Sequence, residues 1–310
     1  LIELIKATSD NEEGRIVATT IFEEKNNKKL NNSDFAILYR TNSQSRAIEE
    51  ALRKMNLTYK IVGGLSFYQR KEIKDLMAYL RFAVNPADEE AFKRIINYPK
   101  RGIGDTSVEK LLVAAYDHDT PLWEVVQNAH SFLGGKAGTA VDDFATMIKA
   151  FQIDIERKDA YEVANNVAKQ TGLLRELYED KTIEGLNRYE NVQELLNAIK
   201  EYVDNPENED KSLGSFLQEI ALLTDNDQDK SQTDAITLMT IHSSKGLEFK
   251  QVFVVGMEED LFPSQMMMQS REDLEEERRL MYVAITRARR RLYVSFAQSR
   301  LLHGQTRYGI

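Results

Sequence analysis

The chain has 310 residues, 42% of them hydrophobic and 29% charged, a composition that suits a soluble globular protein long enough for two domains. It has no apolar run of about eighteen residues, and its opening LIELIKATSDNEEG has no basic stretch ahead of an apolar one, so neither a membrane span nor a signal peptide is indicated and a cytoplasmic location is expected. Cysteine is absent and His118, His130, His242 and His303 lack metal-ligand spacing, which removes disulfides and thiolate chemistry and argues against a metal held by protein ligands alone. The net charge of −9 is unevenly spread, with nine Arg/Lys against five Asp/Glu from Arg271 to Ile310 and two against ten from Glu201 to Ala235. One basic and one acidic face are therefore expected.

In chain order, LIELIKA reads as a short strand and SDNEEG as a turn, after which Ile16, Val17, Thr20 and Ile21 have the spacing of an amphipathic helix. FAILYR is a buried strand running into TNSQSRAIEEALRKM, a helix that Thr41 or Asn42 can cap, and TYKIV is a further strand. Strand, helix, strand at this spacing is the crossover unit of a parallel sheet. From Gly63 and Gly64 to about residue 230 nearly every periodic segment is helical: EIKDLMAYLRFAV, EEAFKRII, SVEKLLVAAY, residues 136–156, YEVANNVAKQ, YENVQELLNAIKEYV and LGSFLQEIALL. TDNDQDKSQTD reads as an acidic linker, MMM at 266–268 as an apolar patch, and from Ala235 the strand pattern returns. The fold expected is therefore α/β, a discontinuous domain of residues 1–62 and 233–310 with an all-helical domain, 63–232, inserted.

The richest stretch is ITLMTIHSSKGLEFKQVFVVGM, Ile236 to Met257. Two runs of β-branched residues without in/out alternation suit strands covered on both faces. His242, Lys245, Gly246 and Glu248 lie between them, a cluster expected outside the carboxyl end of the first strand, where ligands of open α/β sheets bind. His242 is either a satisfied core histidine or a nucleotide or phosphate contact. In the helix EEERRLMYVAITRARRRL, Arg287 falls on the side of Leu280, Val283, Ala284 and Ala288. A permanently charged guanidinium there needs an anionic partner, either Glu248 or another carboxylate, or a bound phosphate. Arg289, Arg290 and Arg291 read as a solvated or DNA-facing run, and RLYVSFA is the last strand.

Within the helical block, NYPKRGIGDTSVEKLL places Lys100 and Arg101 before Gly102 and Gly104, with Asp105, Thr106 or Ser107 opening a helix. This is either a simple turn or a helix-hairpin-helix clamp that holds a DNA backbone without reading bases. FYQRKEIKDLMAYLRF mixes core aromatics with the exposed cations Lys71, Lys74 and Arg81. No GxxxxGK[ST] phosphate loop occurs, and GGKAGT at 134–139 has the wrong spacing.

Taken together, TIHSSKGLEFKQVFVVGMEEDLFP and EEERRLMYVAITRA, with FAILYRTNSQSR, VGGLSFYQRKEIKDLMAYLR and PKRGIGDTSVEKL, make the chain resemble the C-terminal half of a UvrD/PcrA/Rep-type superfamily 1 DNA helicase, essentially along its whole length. The resemblance implies a second RecA-like motor domain carrying a helical accessory insertion. It implies ATP and Mg2+ as cofactors, both held mainly by an N-terminal motor domain of the same protein expected ahead of residue 1, and single-stranded DNA and a single-strand/duplex junction as partners, with a repair or replication-initiation protein as a further partner. By motif position it implies that Arg287 reaches the γ-phosphate, that Glu248 contacts the nucleotide near its ribose and that His242 couples nucleotide to DNA. Arg40 and Asn42 would then lie near single-stranded DNA, and Lys74, Arg81 and Gly102 to Ser107 would contact duplex. Ser264 stands where relatives can carry a DNA-contacting histidine, and His303 where an aromatic can stack on DNA. The expected activity is 3′ to 5′ translocation in repair or plasmid replication. The fragment alone is expected to be inactive, and the competing expectation is a non-catalytic DNA- or protein-docking module.

Overall fold

A computed structural model describes residues 1–224, 233–264, 270–302 and 304–308. The expectations about MMM, the bulk of the acidic linker and His303 fall outside the described residues. The chain separates into two compact units, Leu1–Arg70 with Leu222–Ile310, and Lys71–Ala221.

The first unit is built on six strands: β1 (Ile2–Ala7), β2 (Phe35–Tyr39), β3 (Tyr59–Ile61), β4 (Ile236–Thr240), β5 (Phe249–Val254) and β6 (Ala288–Ala297). They pair in the order β1-β6-β5-β2-β4-β3, with every pairing parallel. This is the α/β arrangement of a RecA-like domain. All residues of β2 are buried, as a strand covered on both faces requires. One face carries Val17 and Ile21 of helix α1 (Asp10–Lys28) and Ile48 and Leu52 of helix α2 (Ser45–Lys54), packed with Phe35, Ile37, Leu238 and Phe253. The SDNEEG segment is the start of α1 rather than a turn, because Ser9 caps it through its hydroxyl, which accepts from the Glu12 N–H.

The second helical unit runs through α3 (Lys71–Val84), α4 (Glu89–Ile95), α5 (Asp105–Asp117), α6 (Leu122–Gln127), α7 (Gly135–Ile155), α8 (Ala160–Gln170), α9 (Leu173–Glu179), α10 (Ile183–Asp204) and α11 (Leu213–Thr224), the last of which ends beyond it. Its core gathers Phe82 against Phe92, Trp123 and Phe144, with ring centroids 5.7, 5.7 and 6.2 Å away.

On the other face of the sheet lies α12 (Arg271–Thr286), whose Leu280 and Ala284 pack on Ala36, Leu38, Met239 and Val252. The helix stops at Thr286, and Arg287 is its C-terminal cap, one residue before β6 begins. Beyond β6, an antiparallel hairpin pairs β7 (Ser299–Leu302) with β8 (Gln305–Tyr308), an element without a sequence signal strong enough to announce it.

Candidate functional site

Strand direction decides where each candidate lies. Arg40 and Asn42 follow β2 and His242 follows β4, so all three sit at the carboxyl edge of the sheet. Glu248 precedes β5 and Arg287 precedes β6, at the opposite, amino edge. The loop from Ile241 to Glu248 is itself the crossover between two parallel strands, and it descends a five-residue strand length, about 16 Å at the usual rise. The expectation of one His-Lys-Glu cluster at the carboxyl edge is therefore corrected to two separate sites, with exposed Lys245 and Gly246 between them. Gly246 makes the turn with φ at +84° and open space around it.

At the amino edge the Arg287 guanidinium, half-buried, donates to the carbonyls of Val283 (3.0 Å) and Leu247 (2.8 Å) and to the Thr286 hydroxyl (3.0 Å). These acceptors are neutral, so its positive charge is not cancelled by a carboxylate among them. Glu248 instead pairs with Arg289 at 2.8 Å, both side chains being well exposed. Such a pair contributes at most about 1 kcal/mol and exchanges readily. Arg291 is held by Glu3 and Glu24, each at 3.1 Å. Arg289 and Arg290 of the expected solvated or DNA-facing run are exposed, whereas Arg291 is half-buried between its two carboxylates. A guanidinium hydrogen-bonded to neutral acceptors, with no carboxylate partner among the described residues, beside a glycine turn is a donor set that fits a polyphosphate.

At the carboxyl edge Arg40 is buried, and its Nε donates to both Glu277 carboxylate oxygens (2.9 and 3.0 Å) and its Nη2 to Oε1 (2.6 Å). The Ser264 N–H adds a fourth contact at 3.2 Å. The guanidinium is thus committed to an acid on α12. Glu277 was missed, although an acid one turn before Leu280 on the apolar face of α12 is a readable signal. The turn after Arg40 is held by buried Gln44, whose Oε1 accepts from the Arg40 and Thr41 N–H groups at 3.0 and 2.8 Å, a capping box that leaves Asn42 half-exposed. His242 is exposed on one side, yet partial burial, and then the neighbouring Arg40 charge, push its pKa below the ordinary histidine value.

In the helical unit Arg101 turns inward. It donates to the carbonyls of Ile95 (3.0 Å), Pro99 (3.2 Å) and Thr171 (3.4 Å) and stacks near Tyr79 and Phe144, so it braces the loop rather than facing outward. Asn97, also missed, pins the same loop by accepting from the Arg101 and Ile103 N–H groups at 2.9 and 3.1 Å. Lys100, Gly102, Gly104 and Thr106 are exposed, and Ser107, half-exposed, lies in the first turn of α5, its N–H bonded to Gly104 O. Lys74 is exposed, whereas Arg81 is paired with Asp88 at 3.0 Å. Among the described residues no group of three or more His, Asp or Glu could hold a metal ion.

Residues 1–299 match the family model described as UvrD-like helicase C-terminal domain. Similar proteins include ATP-dependent DNA helicase PcrA of Bacillus subtilis (strain 168), 43% identical over 307 residues that cover 96% of this chain and 41% of the relative. PcrA of Staphylococcus aureus (strain Mu50) is 40% identical over 98% of this chain and 42% of its own length. DNA helicase II of Salmonella typhimurium is 42% identical over 88% and 38%. The chain spans about two fifths of the length of these relatives. With one family model covering nearly all of its length, the chain belongs to the UvrD-like helicase C-terminal domain family.

Proposed function

We propose that the chain is the second motor half of an ATP- and Mg2+-dependent DNA helicase that moves 3′ to 5′ on single-stranded DNA in repair or plasmid replication. The supporting observation is the junction at the amino edge, where Arg287 at the end of α12 is bonded to the Leu247 carbonyl at 2.8 Å and to the Thr286 hydroxyl and, among the described residues, is given no carboxylate partner. Bound ATP supplies the phosphoryl group whose hydrolysis drives movement. The phosphate loop and Mg2+ ligands come from the first motor domain of the same protein. Arg287 offsets charge on the transferred phosphoryl group, Glu248 leaves Arg289 to accept from a ribose hydroxyl, and Lys245 and Gly246 line the loop between. His242 and Asn42 serve the DNA side at the carboxyl edge. Residues 71–221 act as the accessory domain, in which Lys74, Lys100 and the Gly102–Ser107 loop grip duplex through phosphates; the charge-neutralised Arg81 and the inward-turned Arg101 position that surface.

The test is DNA-stimulated ATP hydrolysis by the full-length protein with Arg287→Ala. A fall of about 10³-fold or more in kcat is expected for loss of an arginine finger. Hydrolysis that survives Arg287→Ala would refute the motor reading and leave a non-catalytic docking module. For the chain on its own, hydrolysis should be negligible until the first motor domain is supplied.

A further inference from the structure

A guanidinium carries five N–H donors, and the end of α12 engages only part of this set at Arg287. Nε donates to the Val283 carbonyl at 3.0 Å, Nη1 to the Leu247 carbonyl at 2.8 Å and Nη2 to the Thr286 hydroxyl at 3.0 Å. Among the described residues this leaves one N–H on each terminal nitrogen, the pair that can grip two oxygens of a single phosphoryl group. The acid that follows Leu247 does not compete for it, because Glu248 is paired with Arg289 at 2.8 Å. The loop side of the junction is fixed by backbone. The Leu247 N–H donates to the Ser244 carbonyl at 3.0 Å, the Phe249 N–H to the Arg287 carbonyl at 2.9 Å, and Gly246 turns the chain between them at φ +84°.

Two of the three acceptors are backbone carbonyls, which any residue at 247 or 283 supplies. The third is a side chain, and its geometry is set by the helix it ends. Thr286 is the last residue of α12 and half-buried. Its hydroxyl donates back to the carbonyls of Tyr282 and Val283, each at 2.9 Å, the i−4 and i−3 acceptors open to a threonine in a helix. With its one proton engaged there, Oγ1 is left to accept, as the Nη2 donor requires. The Val283 carbonyl thus serves both the Thr286 hydroxyl and Arg287 Nε, so the two side chains are held as one unit. Without the hydroxyl, Nη2 faces a methyl group and the guanidinium must turn to find another acceptor, which takes the free pair of N–H groups off its aim. We infer that Thr286 is a positioning residue for hydrolysis: its hydroxyl holds the Arg287 guanidinium so that the remaining N–H of each terminal nitrogen meets the transferred phosphoryl group. This rests on the motor reading above.

The experiment uses the full-length protein with saturating single-stranded DNA. Thr286→Val nearly keeps the shape and removes the hydroxyl. Its kcat for ATP should fall about ten-fold, the size of one hydrogen bond to a charged group, with KM changed by less than about two-fold. Thr286→Ser should recover most of the loss. Binding gives a readout independent of turnover: Thr286→Val should leave the Kd of a fluorescent ADP unchanged, yet lose about ten-fold of the tightening produced by aluminium fluoride, a mimic of the transferred group. In an Arg287→Ala background Thr286→Val should remove nothing further from that tightening, because it acts through the arginine. Wild-type kcat and a wild-type fluoride response in Thr286→Val overturn the inference. So does a loss that persists undiminished in the Arg287→Ala background, or one that weakens ADP alone in equal proportion, either of which makes Thr286 a purely structural residue of the helix end. Failure of the motor reading shows separately, as hydrolysis that survives Arg287→Ala, whereas loss in Arg287→Ala with full activity in Thr286→Val sinks this inference alone.

Discussion

Arg40 and Glu277 form a buried pair in which Nε donates to both carboxylate oxygens and Nη2 to one of them, so removing either partner strands a charge in the interior. Glu277→Ala should cost about 3–5 kcal/mol, read as a drop in the urea midpoint at constant m-value, whereas exposed Lys245→Ala should be nearly silent. The pair also acts on His242, whose pKa is lowered first by burial and then by Arg40, and raised by Glu277. Neutral imidazole is therefore favoured in the fold. Because the folded pKa lies below the unfolded one, its contribution to stability is present above the ordinary histidine pKa and is lost as pH falls through the folded value. Arg40→Gln removes one lowering charge and leaves Glu277 unopposed, so the His242 pKa should rise. Imidazole NMR titration checks the sign, and an unmoved or further lowered pKa would contradict it.

The connections between elements carry more of the site than the elements themselves. Gly256, after β5, has φ at +70°, and a side chain there would meet the Gln44 carboxamide at 2.0 Å and Leu261 at 2.9 Å. Gly246, in the crossover loop of the same unit, has φ at +84° with nothing nearby. Both alanine variants incur left-handed backbone strain of about 1–3 kcal/mol, but only Gly256→Ala also displaces the amide that holds the Arg40 turn. Gly256→Ala should thus be clearly the more destabilising in urea unfolding. Strands, the long helices and the alternation between them were legible, because β-branched runs and three-to-four spacing report local structure directly. The edge at which each loop ends was not, since periodicity carries no strand order; His242 and Glu248 look adjacent in sequence and lie at opposite edges. The short α6 and α9 span too few turns to show a period, and Arg287 read as helical because a cap residue continues the count of the helix before it.

At the scale of the whole chain, the two units differ in how they can assemble. Of the five strand pairings in the sheet, only β5–β6 joins strands from the same side of the helical segment; β1–β6, β2–β5, β2–β4 and β3–β4 each join an early strand to a late one. Loop-closure entropy must therefore be met across the intervening chain before the sheet gains its contacts. Residues 71–221, by contrast, are continuous, and their core of Phe82, Phe92 and Phe144 with Leu76, Leu80, Val163 and Leu195 is drawn from within that span. Residues 71–221 expressed alone should fold, giving a helical circular dichroism spectrum and one cooperative urea transition, whereas residues 1–70 alone should remain unfolded because β1, β2 and β3 have no partners among themselves. A non-cooperative melt of the 71–221 fragment would show that the helical unit depends on the sheet for its stability, and a folded 1–70 fragment would break the argument from interleaved strands.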